Sequence, residues 1–146
     1  MLVVFPFALW TTAVVFDVFG VVTGNPSARA VAFYNIAAGI VGAVAAAVPG
    51  MIDYLTLRGR TRRVGTWHMV LNVAALALFG VSWLLRTRWG AGVVGIDSWL
   101  PVVTGIVGLS LLFPAGWLGG SLVYVHGTGV EPAVARPERW RGRSAA

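Results

Sequence analysis

The chain has 146 residues, of which 58% are hydrophobic and 11% charged, with eleven basic side chains against five acidic ones. A soluble domain of that size carries about 25% charged residues, so a soluble enzyme is excluded. Every basic residue is arginine and there is no cysteine, which excludes a Schiff-base lysine, a disulfide, a thiolate nucleophile, iron–sulfur ligation and covalently attached c-type haem.

The charges are unevenly spread. Residues 1–28 contain one, Asp17; twenty-three uncharged residues separate Arg29 from Asp53, twenty-two separate Arg63 from Arg86, and thirty-three separate Asp97 from Glu131. Crossing a bilayer core takes roughly 20 apolar residues of helix, and four stretches reach that length. The reading is an all-α integral membrane protein, a four-helix transmembrane bundle over residues 1–130, followed by a disordered Arg-rich tail over 131–146.

The first predicted span covers about 2–22 and ends at the turn-forming Thr23-Gly24-Asn25-Pro26-Ser27. It is too long for the apolar core of a signal peptide and lacks a basic leader, although Ala28-Arg29-Ala30 weakly mimics a cleavage site; it reads as a retained helix. The second span, about 30–52, sets Gly42, Ala46 and Gly50 four residues apart, a stripe expected to pack closely against another helix. Pro49 is expected to bend or end it. Residues 53–65 read as a connecting loop with Arg58, Arg60, Arg62 and Arg63. The third span runs over about 66–85, bounded by Arg86 and Arg88. After a glycine-rich loop containing Asp97, the fourth covers about 99–125, with Pro101 suited to its first turn, Pro114 expected to kink it, and Gly116 and Gly120 as a second small-residue pair. Trp67, Trp83, Trp89, Trp99 and Trp117 fall mostly near span ends, where interfacial anchors belong.

Arginines set the expected orientation. Four in the 53–65 loop and four in the tail (Arg136, Arg139, Arg141, Arg143) share a side, against Arg29, Arg86 and Arg88 opposite. The positive-inside rule then reads N-in/C-in, with membrane lipids as the partners of the arginines. No nucleic-acid motif accompanies the net charge of +6, so nucleic acid is not an expected partner.

This topology sorts the polar side chains into two layers. Asp53, His68, Asn72, Tyr124 and His126 fall at one depth on the expected cytoplasmic side, with His68 and Asn72 on one helix face. Two imidazoles from two helices can ligate one b-type haem, and His with Asp can hold a transition metal; the same residues can instead hydrogen-bond to one another and set helix register. Nearer the other side, Asp17 lies about 8 Å deep by the helical rise, with Asn35, Ser82 and Thr104 at comparable depth. That layer reads either as a proton or cation route, since an ionisable residue in a membrane is a functional hypothesis, or as a lock between Asp17 and Asn35. Serine, cysteine and zinc-hydrolase chemistry have no support, and no phosphate-binding glycine loop is present.

The ordered motifs Phe5-Pro6-Phe7-Ala8-Leu9-Trp10, Val15-Phe16-Asp17, Pro49-Gly50-Met51-Ile52-Asp53-Tyr54, Gly65-Thr66-Trp67-His68-Met69-Val70-Leu71-Asn72 and Gly116-Trp117-Leu118-Gly119-Gly120-Ser121-Leu122-Val123-Tyr124-Val125-His126-Gly127 resemble the bacterial membrane family catalogued as domain of unknown function 2231. The resemblance covers residues 1 to about 130. It implies a four-span bundle in the bacterial inner membrane, without a settled activity. Some members look fused to Rieske-type iron–sulfur domains, which leans the reading towards electron transfer with a Rieske-like or quinone-linked partner. Members typically begin with a His-Pro-rich segment that is missing before Phe5 here, either through a misplaced start or a lost histidine. If those histidines are ligands in relatives, only a single bis-histidine site through His68 and His126 remains, with Asp53, Asn72 and Tyr124 orienting the imidazoles.

Three readings of function follow. The first is a haem-binding or redox-accessory membrane subunit, not a stand-alone enzyme. The second is a structural or assembly protein without a cofactor. The third is proton or cation conduction through the Asp17 layer, which requires a homo-oligomer because four short spans make a poor transporter alone.

Overall fold

The computed structural model describes residues 2–88 and 99–129. It contains four helices, α1 (Val4–Thr23), α2 (Pro26–Thr56), α3 (Gly59–Arg88) and α4 (Leu100–Tyr124), each long and apolar enough to cross a membrane. Helices satisfy their backbone groups internally, which lipid demands. Hydroxyls inside the spans follow the same rule: Thr11 Oγ1 donates to the Phe7 carbonyl at 2.8 Å and Ser110 Oγ to Ile106 at 2.9 Å.

The tight α1–α2 turn follows from three residues. Gly24 adopts φ +69°, Asn25 Oδ1 accepts from the Ser27 and Ala28 amides at 3.0 and 3.2 Å, and Pro26 takes the first helical position, where its missing N–H costs nothing. At the opposite end the expected 53–65 loop is mostly helix. α2 runs through Pro49 to Thr56 and α3 starts at Gly59, so only Leu57 and Arg58 lie between them. Charge scarcity marks the membrane-spanning part of a helix, and a helix of arginine, threonine and tyrosine continues past that boundary. α4 likewise passes Pro114 without a break. The predicted loop with Asp97 and Trp89 and the predicted disordered tail lie outside the described residues.

The helices form a ring in chain order. α1 packs most extensively on α2 and α3 on α4, with smaller α2–α3 and α1–α4 faces. The centre is filled across the diagonal. Trp10 of α1 stacks on Phe79 of α3, with ring centroids 4.3 Å apart and planes at 11°, and its Nε1 donates to the Ile36 carbonyl of α2 at 3.3 Å. Glycines make this approach possible: a Cβ on Gly39 would collide with the Trp10 indole, and one on Gly108 would come 3.1 Å from Phe79. Most remaining large apolar side chains, among them Val15, Phe19, Val41, Val73, Phe113 and Trp117, face outward, as a lipid-solvated bundle requires.

The expected packing stripes are only partly used. A Cβ on Gly42 would stand 3.5 Å from Pro6 Cδ, but one at Gly50, Gly116 or Gly120 would meet nothing within 4 Å. Trp83, near the end of α3, also packs inward, its ring stacked on Phe33 at 5.6 Å.

Candidate functional site

Two polar centres emerge, one at each end of the bundle. At the end holding the α1–α2 turn, Asp17 and Arg86 form a bidentate ion pair: Nη1 donates to Oδ1 at 2.7 Å and Nη2 to Oδ2 at 2.6 Å. Both residues are buried, at 1% and 6% exposure. The pair continues into α4, because Arg86 Nη2 also reaches Ser82 Oγ at 3.3 Å and Ser82 Oγ donates to the Pro101 carbonyl at 2.6 Å. Thr104 Oγ1 donates to the same carbonyl at 2.9 Å. Three helices are thus joined through one hydrogen-bonded chain. Arg29 closes the edge, with its Nε donating to the Gly20 carbonyl at 3.2 Å and its Cγ 2.8 Å from where a Gly20 Cβ would stand.

This arrangement corrects two expectations. The carboxylate is locked by Arg86, not Asn35, and Arg86 is an interior ligand of Asp17 instead of a topological flank. A signal for the pair existed in the sequence. Phe79, Ser82 and Arg86 recur at helical spacing on one face, and a carboxylate in lipid requires a cation or donor. The match became visible only when α1 and α3 were laid side by side. Geometry favours a structural reading of the pair, since both carboxylate oxygens are occupied by the guanidinium. Among the described residues, two buried donors are left over, Arg86 Nε and Trp83 Nε1.

At the other end, His68 projects from α3 against α4. Its Nδ1 lies 2.8 Å from the Ala115 carbonyl, which can only accept, so Nδ1–H is the donor in this bond. Gly119 makes room for the ring, since a Cβ there would sit 2.9 Å from His68 Cε1. Asn72 Nδ2 donates to the His68 carbonyl at 2.7 Å and stands 3.4 Å from Nε2. His68 and Asn72 are therefore brought together as their spacing on one face suggested.

The other members of that layer have separate surroundings. His126 Nδ1 donates to the Ser121 carbonyl at 3.0 Å in the turn after α4. It lies seven residues beyond the glycine that seats His68, roughly 10 Å along a helix axis, and the two imidazoles share no partner among the described residues. Tyr124 is 89% exposed. Asp53 is exposed, its carboxylate 3.9 Å from a Cβ position at Gly129. No group of three or more His, Cys, Asp or Glu capable of holding a metal occurs among the described residues.

No curated protein and no solved structure matches the chain. A family model does, over residues 1–132, and its description is that of a predicted membrane protein, DUF2231. That interval takes in all four helices, the Asp17–Arg86 pair and both histidines. A multi-pass membrane bundle carrying these motifs in order is thus a member of the DUF2231 family.

Proposed function

We propose that this protein is a structural or assembly subunit of the bacterial inner membrane, holding a membrane partner in place without performing chemistry of its own. The observation that carries this reading is the use made of the interior polar groups. Asp17, Arg86, Ser82 and Thr104 spend their hydrogen bonds on other helices or on a neighbouring carbonyl. In lipid, where apolar burial does not drive helices together, such bonds specify how they associate. Occupation of both Asp17 oxygens by Arg86 weighs against a proton or cation carrier at that position.

A second reading is a redox-accessory subunit binding haem b, with a Rieske-like or quinone-linked partner. One observation favours it: an Nδ1–H held by a backbone carbonyl, as in His68, leaves Nε2 available in the way that ligating imidazoles are usually oriented. His126 has the same Nδ1 arrangement on Ser121, so both histidines offer Nε2 as the candidate axial ligand. Affinity purification of the tagged chain from membranes in mild detergent separates the two readings. The expected result is a stoichiometric membrane partner and a preparation without a Soret band. A Soret band that shifts on reduction and disappears in His68→Ala overturns the assembly reading in favour of haem.

A further inference from the structure

The elbow between α2 and α3 exposes Arg58, Arg60, Arg62 and Arg63 within six residues. Local helix rules disfavour this placement. Arg58 occupies the capping position of α3, its carbonyl accepting from the Arg62 amide at 3.3 Å. An accepting side chain is preferred there, to satisfy the free N–H groups of the first turn, and a guanidinium cannot accept. Arg60, Arg62 and Arg63 follow at the positive end of the helix dipole, where anions are stabilised, and the first turn contains no acid. The carboxyl end of α2 at Thr56 offsets part of the charge, but none of the four arginines has an ion-pair partner among the described residues. The single described carboxylate in this part of the chain, Asp53, lies beside Gly129.

The elbow is also braced. Leu57 is buried, with its Cδ1 2.5 Å from where a Gly65 Cβ would stand. Tyr54 OH and Thr66 Oγ1 are hydrogen-bonded at 3.0 Å, Thr66 Oγ1 lies 2.9 Å from the Arg62 carbonyl, and the Arg62 guanidinium sits 5.4 Å above the Tyr54 ring. Rotamer freedom that binding would remove is thereby already restricted at Arg62.

Depth identifies the ligand. On α2, twenty-three uncharged residues between Arg29 and Asp53 span roughly 34 Å by the helical rise, enough for the hydrocarbon core, so Asp53 stands at its edge. Arg58 lies five residues beyond Asp53, roughly 7 Å further out, and the elbow it shares with Arg60, Arg62 and Arg63 is at the level of a headgroup layer about 5–7 Å thick. Below them Ile52, Leu55 and Trp67 are exposed at acyl-chain and interface level.

We propose that the α2–α3 elbow is a binding site for the headgroup of an anionic phospholipid, its phosphodiester held by the guanidinium groups of the arginine cluster and the free amides opening α3. Free phosphate shares that chemistry, but the depth of the cluster and the apolar collar beneath it commit the site to lipid. Positive charge that only sets topology would work equally well as lysine, which lacks the planar fork for bidentate phosphate contacts. The test therefore keeps the charge. Full-length protein is purified in detergent with equal phosphatidylglycerol and phosphatidylcholine, and retained lipids are counted by native mass spectrometry. Wild type should retain phosphatidylglycerol several-fold over phosphatidylcholine. The quadruple variant R58K/R60K/R62K/R63K and the single R62K should lose most of that preference while keeping helical content and elution volume. Equal retention of the two lipids by wild type, or unchanged preference in the lysine variants, overturns the proposal. So does complete displacement of the lipid by millimolar inorganic phosphate.

Discussion

Asp17 and Arg86 form a buried ion pair between α1 and α3. A buried ion pair gains Coulomb energy and loses hydration, so its net contribution can be near zero while loss of one partner is costly. The unpartnered Arg86 Nε and Trp83 Nε1 add to the cost side of this site. The pair is therefore better suited to selecting one helix register than to maximising stability. Asp17→Leu should destabilise the bundle by about 3 kcal/mol, because the guanidinium is left without a counter-charge. The double variant Asp17→Leu/Arg86→Met should return to within about 1 kcal/mol of wild type. Steric-trapping or denaturing-detergent titration measures both; additive losses in the double variant would show that the two side chains act independently.

Helix register is repeated along the α1–α3 diagonal. Pro6, Trp10, Ala13 and Asp17 are buried on α1, and Ala75, Phe79, Ser82 and Arg86 on α3, at the same spacings and a constant offset of 69 residues. Of these four pairs, Trp10–Phe79 and Asp17–Arg86 touch directly, one apolar rung and one ionic, and the buried positions keep the 3–4 periodicity of packed helices. Glycines in α2 and α4 set how closely the flanking helices approach this diagonal. Gly39→Ala should cost about 2 kcal/mol by overpacking against Trp10 and weaken the Trp10–Ile36 hydrogen bond. Gly50→Ala, where nothing lies within 4 Å, should be neutral or stabilise by up to about 1 kcal/mol through helix propensity. The same unfolding titration compares the two, and equal effects would dissociate the packing role from Gly39.

The whole molecule has two unlike ends. One is closed by a short capped turn and the buried ion pair; the other is an arginine elbow on helices of about 45 Å, well beyond a hydrocarbon core of about 30 Å. With Arg86 paired inside, two arginines remain to mark the side of the α1–α2 turn, Arg29 and Arg88, against eight on the other. The positive-inside bias towards N-in/C-in is correspondingly steeper. A C-terminal green fluorescent protein fusion in bacteria should fluoresce and a C-terminal alkaline phosphatase fusion should be inactive; the reverse pattern would assign the opposite orientation.

Composition and charge spacing by themselves determined the class of protein, the number of spans and the separation of polar groups into two layers, because lipid penalises charge so strongly that gaps between charges report hydrocarbon thickness. His68 and Asn72 were legible as a pair because a separation of four residues puts both on one helical face. Helix ends were less legible. The membrane constraint stops at the interface, whereas helix propensity continued α2 through Asp53 and Tyr54 and began α3 at Gly59. Tertiary structure alone decided which partners meet: Arg86 with Asp17 in preference to Asn35, His126 on Ser121 apart from His68, and Gly39 and Gly119 as close-packing glycines in place of Gly50 and Gly116. Each of those choices depends on the rotation and axial shift of one helix against another. Such parameters arise from interdigitating side chains 26 to 69 residues apart, and a one-dimensional spacing pattern does not contain them.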